Sequence, residues 1–396
     1  MKTSHIDAIL VGVVLLLTGL GLYTVYTASG FNDAVNGSMS IATAGKQAVA
    51  AAVGLGLLLY FRSRSYLQMR TWRMRPFGVP VPTTYMIWLV SLVAMVLVWI
   101  PGIGHKANGA ARWVNLGPAN LQPSEFLKLT TLLALAQFLH EFRDKVNDPR
   151  VLSLLGGSAG VIALLLFLQN DLGSMVITLG MAFMMLWVAG LRWKYVGVLA
   201  ALGVTLVVGM VLVAPFRMER MANFIHPFED CRGTGYQVCQ SLVAFHNGGL
   251  TGQGAGQGFS KLAFLPEAHN DFIAAVFGEE FGLIGMFFLF ALYGTFLWRG
   301  FDIARKARDM HGFLLASTIT LLIVGQAALN LAVALGALPN KGLVLPFMSY
   351  GGSAMMVNLA AVGILLAIHA DVPQEAPATT TQSVEATAAQ RTSTGA

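Results

Sequence analysis

The chain reads as long apolar runs separated by short polar connectors. The runs are continuous and lack apolar–polar alternation, so each predicts a helix rather than a strand of a membrane barrel. A helix of about 20 apolar residues crosses a bilayer, and about ten runs approach that length. The expected spans are residues 6–29, 42–61, 83–101, 123–140, 151–169, 172–191, 195–216, 271–298, 312–338 and 352–370. Gln169, Asn170 and Asp171 alone separate the fifth span from the sixth, while a long loop, 216–270, separates the seventh from the eighth. From 371 to 396 the chain is rich in Pro, Ala and Thr with few large apolar residues, which predicts disorder. The fold expected is an all-α polytopic membrane protein. About ten transmembrane helices form one membrane domain over 1–370, with a large extracytoplasmic loop and a disordered cytoplasmic tail.

Composition narrows the class. Of 396 residues, 56% are hydrophobic and 11% charged, against roughly 25% charged in a soluble domain. The net charge of +6 does not imply nucleic acid, because the basic residues sit in short connectors where orientation rules account for them. Sixteen of the 25 Lys and Arg fall on one set of connectors, which is then cytoplasmic and carries both termini. The first run is long enough to span and does not read as a cleavable signal. On the outer set, Lys46 and Lys128 lie within or at the edge of apolar runs, and Lys106, Arg112, Arg217, Arg220 and Lys341 lie near span ends. Such cations suit an anionic lipid headgroup such as a pyrophosphate. Alternatively they snorkel to membrane phosphates.

The chemistry concentrates in KLAFLPEAHNDFIAAVFGEEFG, Lys261 to Gly282. Glu267, His269 and Asp271 stand at spacing two and run into an apolar helix. Asp271 has the character of a general base, a carboxylate at a cavity edge poised by burial and charge. It also reads as an N-cap for that helix. Asp271 and Glu267 are candidate ligands for a divalent cation, Mg²⁺ or Mn²⁺, which needs one or two carboxylates plus substrate phosphate oxygens. A dedicated zinc site fits the spacing poorly. Glu279 and Glu280 are acids inside a span, which either function there or pair with Lys46 or Lys128.

Four further stretches are candidates. Before the fourth span, Arg112 and Trp113 precede a turn-rich loop, Pro123 suits a first helical turn, and Glu125 and Lys128 share a helix face. That pair either fixes helix packing or walls a cavity that orients a headgroup. Asp171 opens the sixth span as a cap, or contacts substrate or cation. In the outer loop, GGLTGQGAGQG lacks the Lys-Ser/Thr and the strand context of a nucleotide loop; its glycines instead permit close backbone approach. Cys231 and Cys239 either close a small disulfide loop or remain two thiols. Before the last span, LPNKGLVLPFMSYGGS sets Lys341, Ser349, Tyr350 and Ser353 at a helix start, suited to an anion or sugar, or else forms a re-entrant turn.

NGAARWVNLG, LQPSEFLK, NDLGS, LPEAHNDF with AVFGEEFGLIG, and LPNKGLVLPFMSYGGS occur in that order. Together they resemble the SEDS family (shape, elongation, division and sporulation), over roughly residues 23–368. PGIG before NGAARW, and GYQ with QSLVAF before LPEAHNDF, look more like the cell-division branch, FtsW, than the elongation branch, RodA; the sporulation branch stays open. The resemblance implies a multi-pass peptidoglycan glycosyltransferase at the bacterial cytoplasmic (inner) membrane, at the division septum for that branch. It would polymerise lipid II onto a glycan carried by undecaprenyl pyrophosphate, with a class B penicillin-binding protein and other divisome proteins as partners. The family's essential aspartate matches Asp271, its charged helix pair Glu125 and Lys128, and its Arg-Trp motif Arg112 and Trp113. Lys261, Arg217, Glu267, His269, Lys341 and Ser349 complete the expected substrate contacts. A cysteine pair is not part of the family motif. The competing readings are a lipid II flippase, a non-catalytic scaffold and another lipid-linked polymerase. Against the first, the charged motifs cluster on the outer side and no inverted repeat is evident.

Overall fold

The computed structural model describes residues 7–35, 42–107, 110–115, 117, 120–213, 218, 231, 233, 235–259, 268–339 and 342–372. Among these the chain forms twelve α-helices. They are α1 (Ala8–Val35), α2 (Ala42–Arg62), α3 (Tyr66–Thr71), α4 (Thr83–Leu97), α5 (Pro123–Glu141) and α6 (Pro149–Leu168). The others are α7 (Leu172–Val188), α8 (Trp193–Val213), α9 (Tyr236–Gly248), α10 (Ile273–Lys306), α11 (Met310–Ala334) and α12 (Gly352–Ala370). All the expected spans are helical, with shifted ends. α10 runs on past residue 298 because Asp302 pairs with Arg305 and Lys306 one turn later. α7 stops at Val188 because Gly190 takes a φ of +99°. The tail beyond 372 lies outside the described residues.

Among the described residues seven helices are long and apolar enough to cross a membrane: α1, α2, α6, α8, α10, α11 and α12. α4 and α7 are apolar but shorter. α5 buries Glu125, Lys128 and Gln137, so its composition is less apolar. The chain is an all-α, multi-pass membrane protein. The connector before α5 is more ordered than a turn-rich loop. Strands β3 (Gly104–Ala107), β4 (Ala110–Asn115) and β5 (Asn120–Leu121) form a three-stranded antiparallel sheet. A second, two-stranded sheet pairs β1 (Arg73–Met74) with β2 (Val81–Pro82).

Without a water-driven hydrophobic effect, helices in lipid associate through close approach and polar contacts. α12 is the innermost helix, with 83% of its spanning window buried, followed by α11 with 67%. α2 lies directly on α12: a Cβ added at Gly363 would sit 2.6 Å from the Leu58 carbonyl oxygen. α10 approaches α11 as closely, since a Cβ at Gly300 would sit 2.2 Å from Thr320 Oγ1. A smaller core of Met95, Leu127, Ile162, Leu166 and Met175 joins α4, α5, α6 and α7. α8 lies nearer the periphery: Val196 is buried against the core, while Trp193, Val198, Leu202, Val204 and Leu212 are exposed.

Ion pairs close the end of the bundle opposite the site. Arg299 donates to Asp7 at 2.7 Å. Asp309 caps α11 through the Gly312 N–H at 2.9 Å, accepts the Tyr66 hydroxyl at 3.1 Å and pairs with Arg70. Burial works against the Asp309 anion, but the Gly312 N–H, the Arg70 guanidinium and the Tyr66 hydroxyl outweigh it and hold the carboxyl below its usual range. Burial, then the Asp309 charge, pushes the Tyr66 phenol up, so it remains a donor at neutral pH. A carboxyl lowered in the folded state contributes stability above its unfolded pKa, and that contribution fades as pH falls through the folded value. Asp309→Asn should therefore lower the melting temperature in detergent at pH 7, and the gap to wild type should shrink below about pH 4. A gap independent of pH would contradict the ionic role.

Candidate functional site

α11 carries the site's framework. Gln326 and Asn330 stand four residues apart, one above the other on a helix face. The Asn330 amide donates to the Asp271 carbonyl at 2.9 Å and to the Leu343 carbonyl. The Gln326 amide donates to the Val344 carbonyl at 2.9 Å, and its oxygen accepts from Lys128 Nζ at 3.0 Å. Lys128 also donates to Glu125, with contacts of 2.9 and 2.8 Å to the two carboxylate oxygens. Glu125 is 5% exposed and Lys128 3%. The ammonium is thus committed to α5 and α11 and pairs with neither Glu279 nor Glu280. Glu280 instead accepts from the Tyr23 hydroxyl at 3.2 Å.

Asp271 does not cap the following helix. α10 begins at Ile273 with Phe272 in the capping position and no side-chain cap. The half-buried carboxylate lies beside Gly342, where an added Cβ would come within 3.3 Å of Oδ2. Gly342 has a φ of +47°, so glycine gives the loop both its turn and its nearness to the acid. His269 is anchored alongside. Its carbonyl accepts the Tyr350 N–H at 2.9 Å, and the two rings meet edge to face at 5.7 Å.

The loop from Gly342 to Gly351 is pinned along its length. Gln47 of α2 donates to the Ser349 carbonyl at 3.0 Å and accepts the Gly351 N–H at 3.1 Å. The Tyr293 hydroxyl donates to the Pro346 carbonyl at 2.6 Å. Phe347, fully buried, holds a φ of +67°, a strained region that persists only where the surroundings impose it. Ser349 is 4% exposed and its hydroxyl accepts the Leu345 N–H at 2.7 Å, so it closes a turn inside the loop. Ser353 likewise accepts the Gln122 N–H at 2.9 Å.

Asp171 caps α7 through the Ser174 N–H at 3.0 Å and accepts the Ser124 hydroxyl at 3.1 Å. Arg112 reaches the same corner. Its guanidinium donates to the Gln169 carbonyl at 3.1 Å and to the Asn170 carbonyl. It braces the α6–α7 turn, where Asn170 takes a φ of +56°.

The linear pattern of apolar residues carries no sign of the break in α10. At Gly282 the backbone leaves the helix with a φ of 64° and a ψ of −163°. The glycine-rich segment after α9 fills the gap. Gln253 and Gly254 donate to the Glu279 and Glu280 carbonyls at 2.9 and 3.1 Å. Leu283 and Ile284 donate to the Gly249 and Leu250 carbonyls at 2.9 and 3.2 Å. A Cβ at Gly282 would lie 2.3 Å from the Gly252 nitrogen. Cys231 and Cys239 are joined as a disulfide at the start of α9. Among the described residues no group of three or more His, Cys, Asp or Glu is placed to hold a metal. Arg217, Lys261, Glu267 and Lys341 lie outside the described residues.

The motifs thus meet at one end of the bundle, with α5, α7, α10, α11 and the 342–351 loop each contributing. A family described as cell cycle protein, comprising FtsW, RodA and SpoVE, matches residues 7–374. The chain belongs to this family. It is 38% identical to the probable peptidoglycan glycosyltransferase FtsW of Halothiobacillus neapolitanus, over 93% of this chain and 87% of that protein. It is 36% identical to stage V sporulation protein E of Bacillus subtilis, over 92% and 97% of the two chains. A solved structure described as the coordination of polymerization and crosslinking by a peptidoglycan synthase complex superposes with a TM-score of 0.74. It is 31% identical, with 93% of this chain and 99% of that chain covered. The rod shape determining protein RodA of Thermus thermophilus superposes with a TM-score of 0.65 at 26% identity, over 95% and 100% of the two chains.

The buried pair on α5 yields a stability test in this FtsW–RodA–SpoVE family member. Lys128→Met leaves Glu125 as an uncompensated buried charge and should destabilise by about 3–5 kcal/mol. Adding Glu125→Gln should recover most of that loss, because no buried charge then remains. Melting of the two single variants and the double variant in detergent measures it. A double variant less stable than Lys128→Met would show that the pair is not the source of the loss.

Proposed function

We propose that this chain is a peptidoglycan glycosyltransferase that polymerises lipid II at the outer face of the bacterial cytoplasmic membrane, for septal wall synthesis in cell division. The observation that carries the activity is the match to relatives named as such over 93% of the chain. The several FtsW relatives at 37–40% identity favour the division branch over elongation. The excess of Lys and Arg on one set of connectors supports cytoplasmic termini. A class B penicillin-binding protein is the partner this reading implies. The superposition on a synthase complex that couples polymerization to crosslinking supports it.

In the proposed reaction, Asp271 removes the proton from the acceptor sugar hydroxyl. That oxygen bonds to the anomeric carbon of the growing chain as the bond to undecaprenyl pyrophosphate breaks. The configuration inverts in a single displacement. A glycoside hydrolase needs a second carboxyl to protonate its leaving group, whereas a pyrophosphate leaves as an anion, so one base suffices. Asp271 is suited to the task by its half-buried position and by the backbone held around it. Lys261, Arg217 and Lys341 are proposed to face the pyrophosphate. Arg112 and Lys128 act less directly, because Arg112 already braces the α6–α7 turn and Lys128 already bonds Glu125 and Gln326. Asp271 can supply one carboxylate to a divalent cation carried by the pyrophosphate; such a cation would offset negative charge there.

Purified chain with its cognate partner, given lipid II and Mg²⁺, should make glycan strands, and Asp271→Asn should make none while folding and binding the partner normally. Equal polymer from both would reject Asp271 as the base. Transbilayer movement of lipid II without polymer from the wild type, beside an active control, would favour the flippase reading.

A further inference from the structure

Two uncharged side chains on α11 reach both the Lys128 ammonium on α5 and the backbone of Asp271, just ahead of α10. Gln326 and Asn330 belong to no motif of the sequence reading. Yet Gln326 holds Lys128 on one side and the Val344 carbonyl on the other. Asn330 holds the Leu343 carbonyl and the carbonyl of Asp271 itself. Leu343 and Val344 directly follow Gly342, the residue beside the Asp271 carboxylate. Both amides are buried, at 3% and 1% exposure. Asn330 turns both amide hydrogens to carbonyls, while its own oxygen, Oδ1, is buried with no hydrogen-bond partner among the described residues. The amide bonds two carbonyls that a leucine would leave without a donor, and its orphaned oxygen is the cost of holding both at once.

We infer that Gln326 and Asn330 are positioning residues for glycosyl transfer. They form a two-rung ladder on α11 that fixes the distance and direction of the Asp271 carboxylate relative to the Glu125–Lys128 pair. The inference rests on Asp271 as the catalytic base. The rungs act through backbone carbonyls, so neither residue touches substrate. Removing a rung loosens the Gly342–Val344 segment and lets the carboxylate drift, while Gln47, Tyr293 and Ser349 still hold the rest of the loop. Misplacement of this kind lowers turnover and leaves ground-state binding largely unchanged.

The test uses the full chain with its partner, and compares Gln326→Met and Asn330→Leu with wild type, Asp271→Asn and Thr318→Val. The Thr318 hydroxyl bonds back to the Leu314 carbonyl of its own helix, so its loss reports only on the stability of α11. Turnover and KM for lipid II, the pH profile of kcat and the melting temperature are measured. The expected result is a kcat lowered roughly tenfold to a hundredfold in both amide variants. KM should stay within about twofold of wild type, melting should fall further than in Thr318→Val because buried carbonyls lose their donors while the protein stays folded at the assay temperature, and the acid limb of the Asn330→Leu profile should move. A wild-type kcat would overturn the proposal, as would a raised KM at unchanged kcat, or a loss of turnover matched by lost folded protein. If Asn330→Leu does not fold, Asn330→Ser replaces it. That side chain leaves room for a water to bridge the two carbonyls, so an intermediate kcat supports the ladder and a wild-type kcat rejects it. Polymer from Asp271→Asn removes the base assignment, and with it the ladder's stated purpose. Wild-type turnover of the amide variants beside an inert Asp271→Asn removes the ladder alone.

Discussion

Inside a bilayer every backbone and side-chain polar group must find its partner within the protein. The site is built from the ways this chain meets that demand. Where α10 breaks at Gly282, the freed carbonyls and N–H groups are taken up by the glycine-rich segment after α9. Where the 342–351 loop enters the bundle without helical hydrogen bonds, Gln47, Tyr293, Gln326 and Asn330 supply them from three different helices. Irregular backbone at such a depth is tolerated only against protein or a water-filled cavity. Both irregular segments flank the Asp271 end of α10.

The same demand sorts the charges. Lys128 and Glu125 are almost fully buried, and each is tolerable only because of the other and Gln326. Arg112, nearer the surface, spends its guanidinium on two turn carbonyls. Asp271 differs from them. It is half-exposed, it is not the helix cap, and Asn330 holds its backbone carbonyl. A partly exposed carboxylate on a backbone held in place is disposed to exchange a proton.

Small residues make this geometry reachable. Gly363 lets α12 lie on the α2 backbone, and Gly300 lets α10 lie on α11. The first contact brings Gln47 to the loop, and the second brings the Asp271 helix within reach of Asn330. Interhelical contacts remote from the site therefore set distances inside it, because side chains as short as Asn and Gln bridge helices only where the backbones are close.

Much of the fold follows from the linear pattern. The apolar runs marked the spans, since a helix closes its own hydrogen bonds and its length is set by the bilayer. Asp171 was legible as a cap and Glu125–Lys128 as a pair, because caps and i,i+3 contacts are local. Asp271, too, stood out, as a carboxylate at the mouth of a span. Three features were decided only in the folded molecule. The α10 break depends on a segment about 30 residues earlier folding back onto Gly282. The sheet before α5 depends on pairing among three short strands that lack any strong alternation. The Gln326–Asn330 ladder joins α11 to residues on α5, at the head of α10 and in the loop before α12. In the sequence it left one faint trace, two amides four apart in an otherwise apolar helix. The sequence determined which residues lie in the membrane and which acid stands at its edge. Tertiary packing decided which groups face that acid, because a hydrogen bond between helices is fixed by how closely they pack.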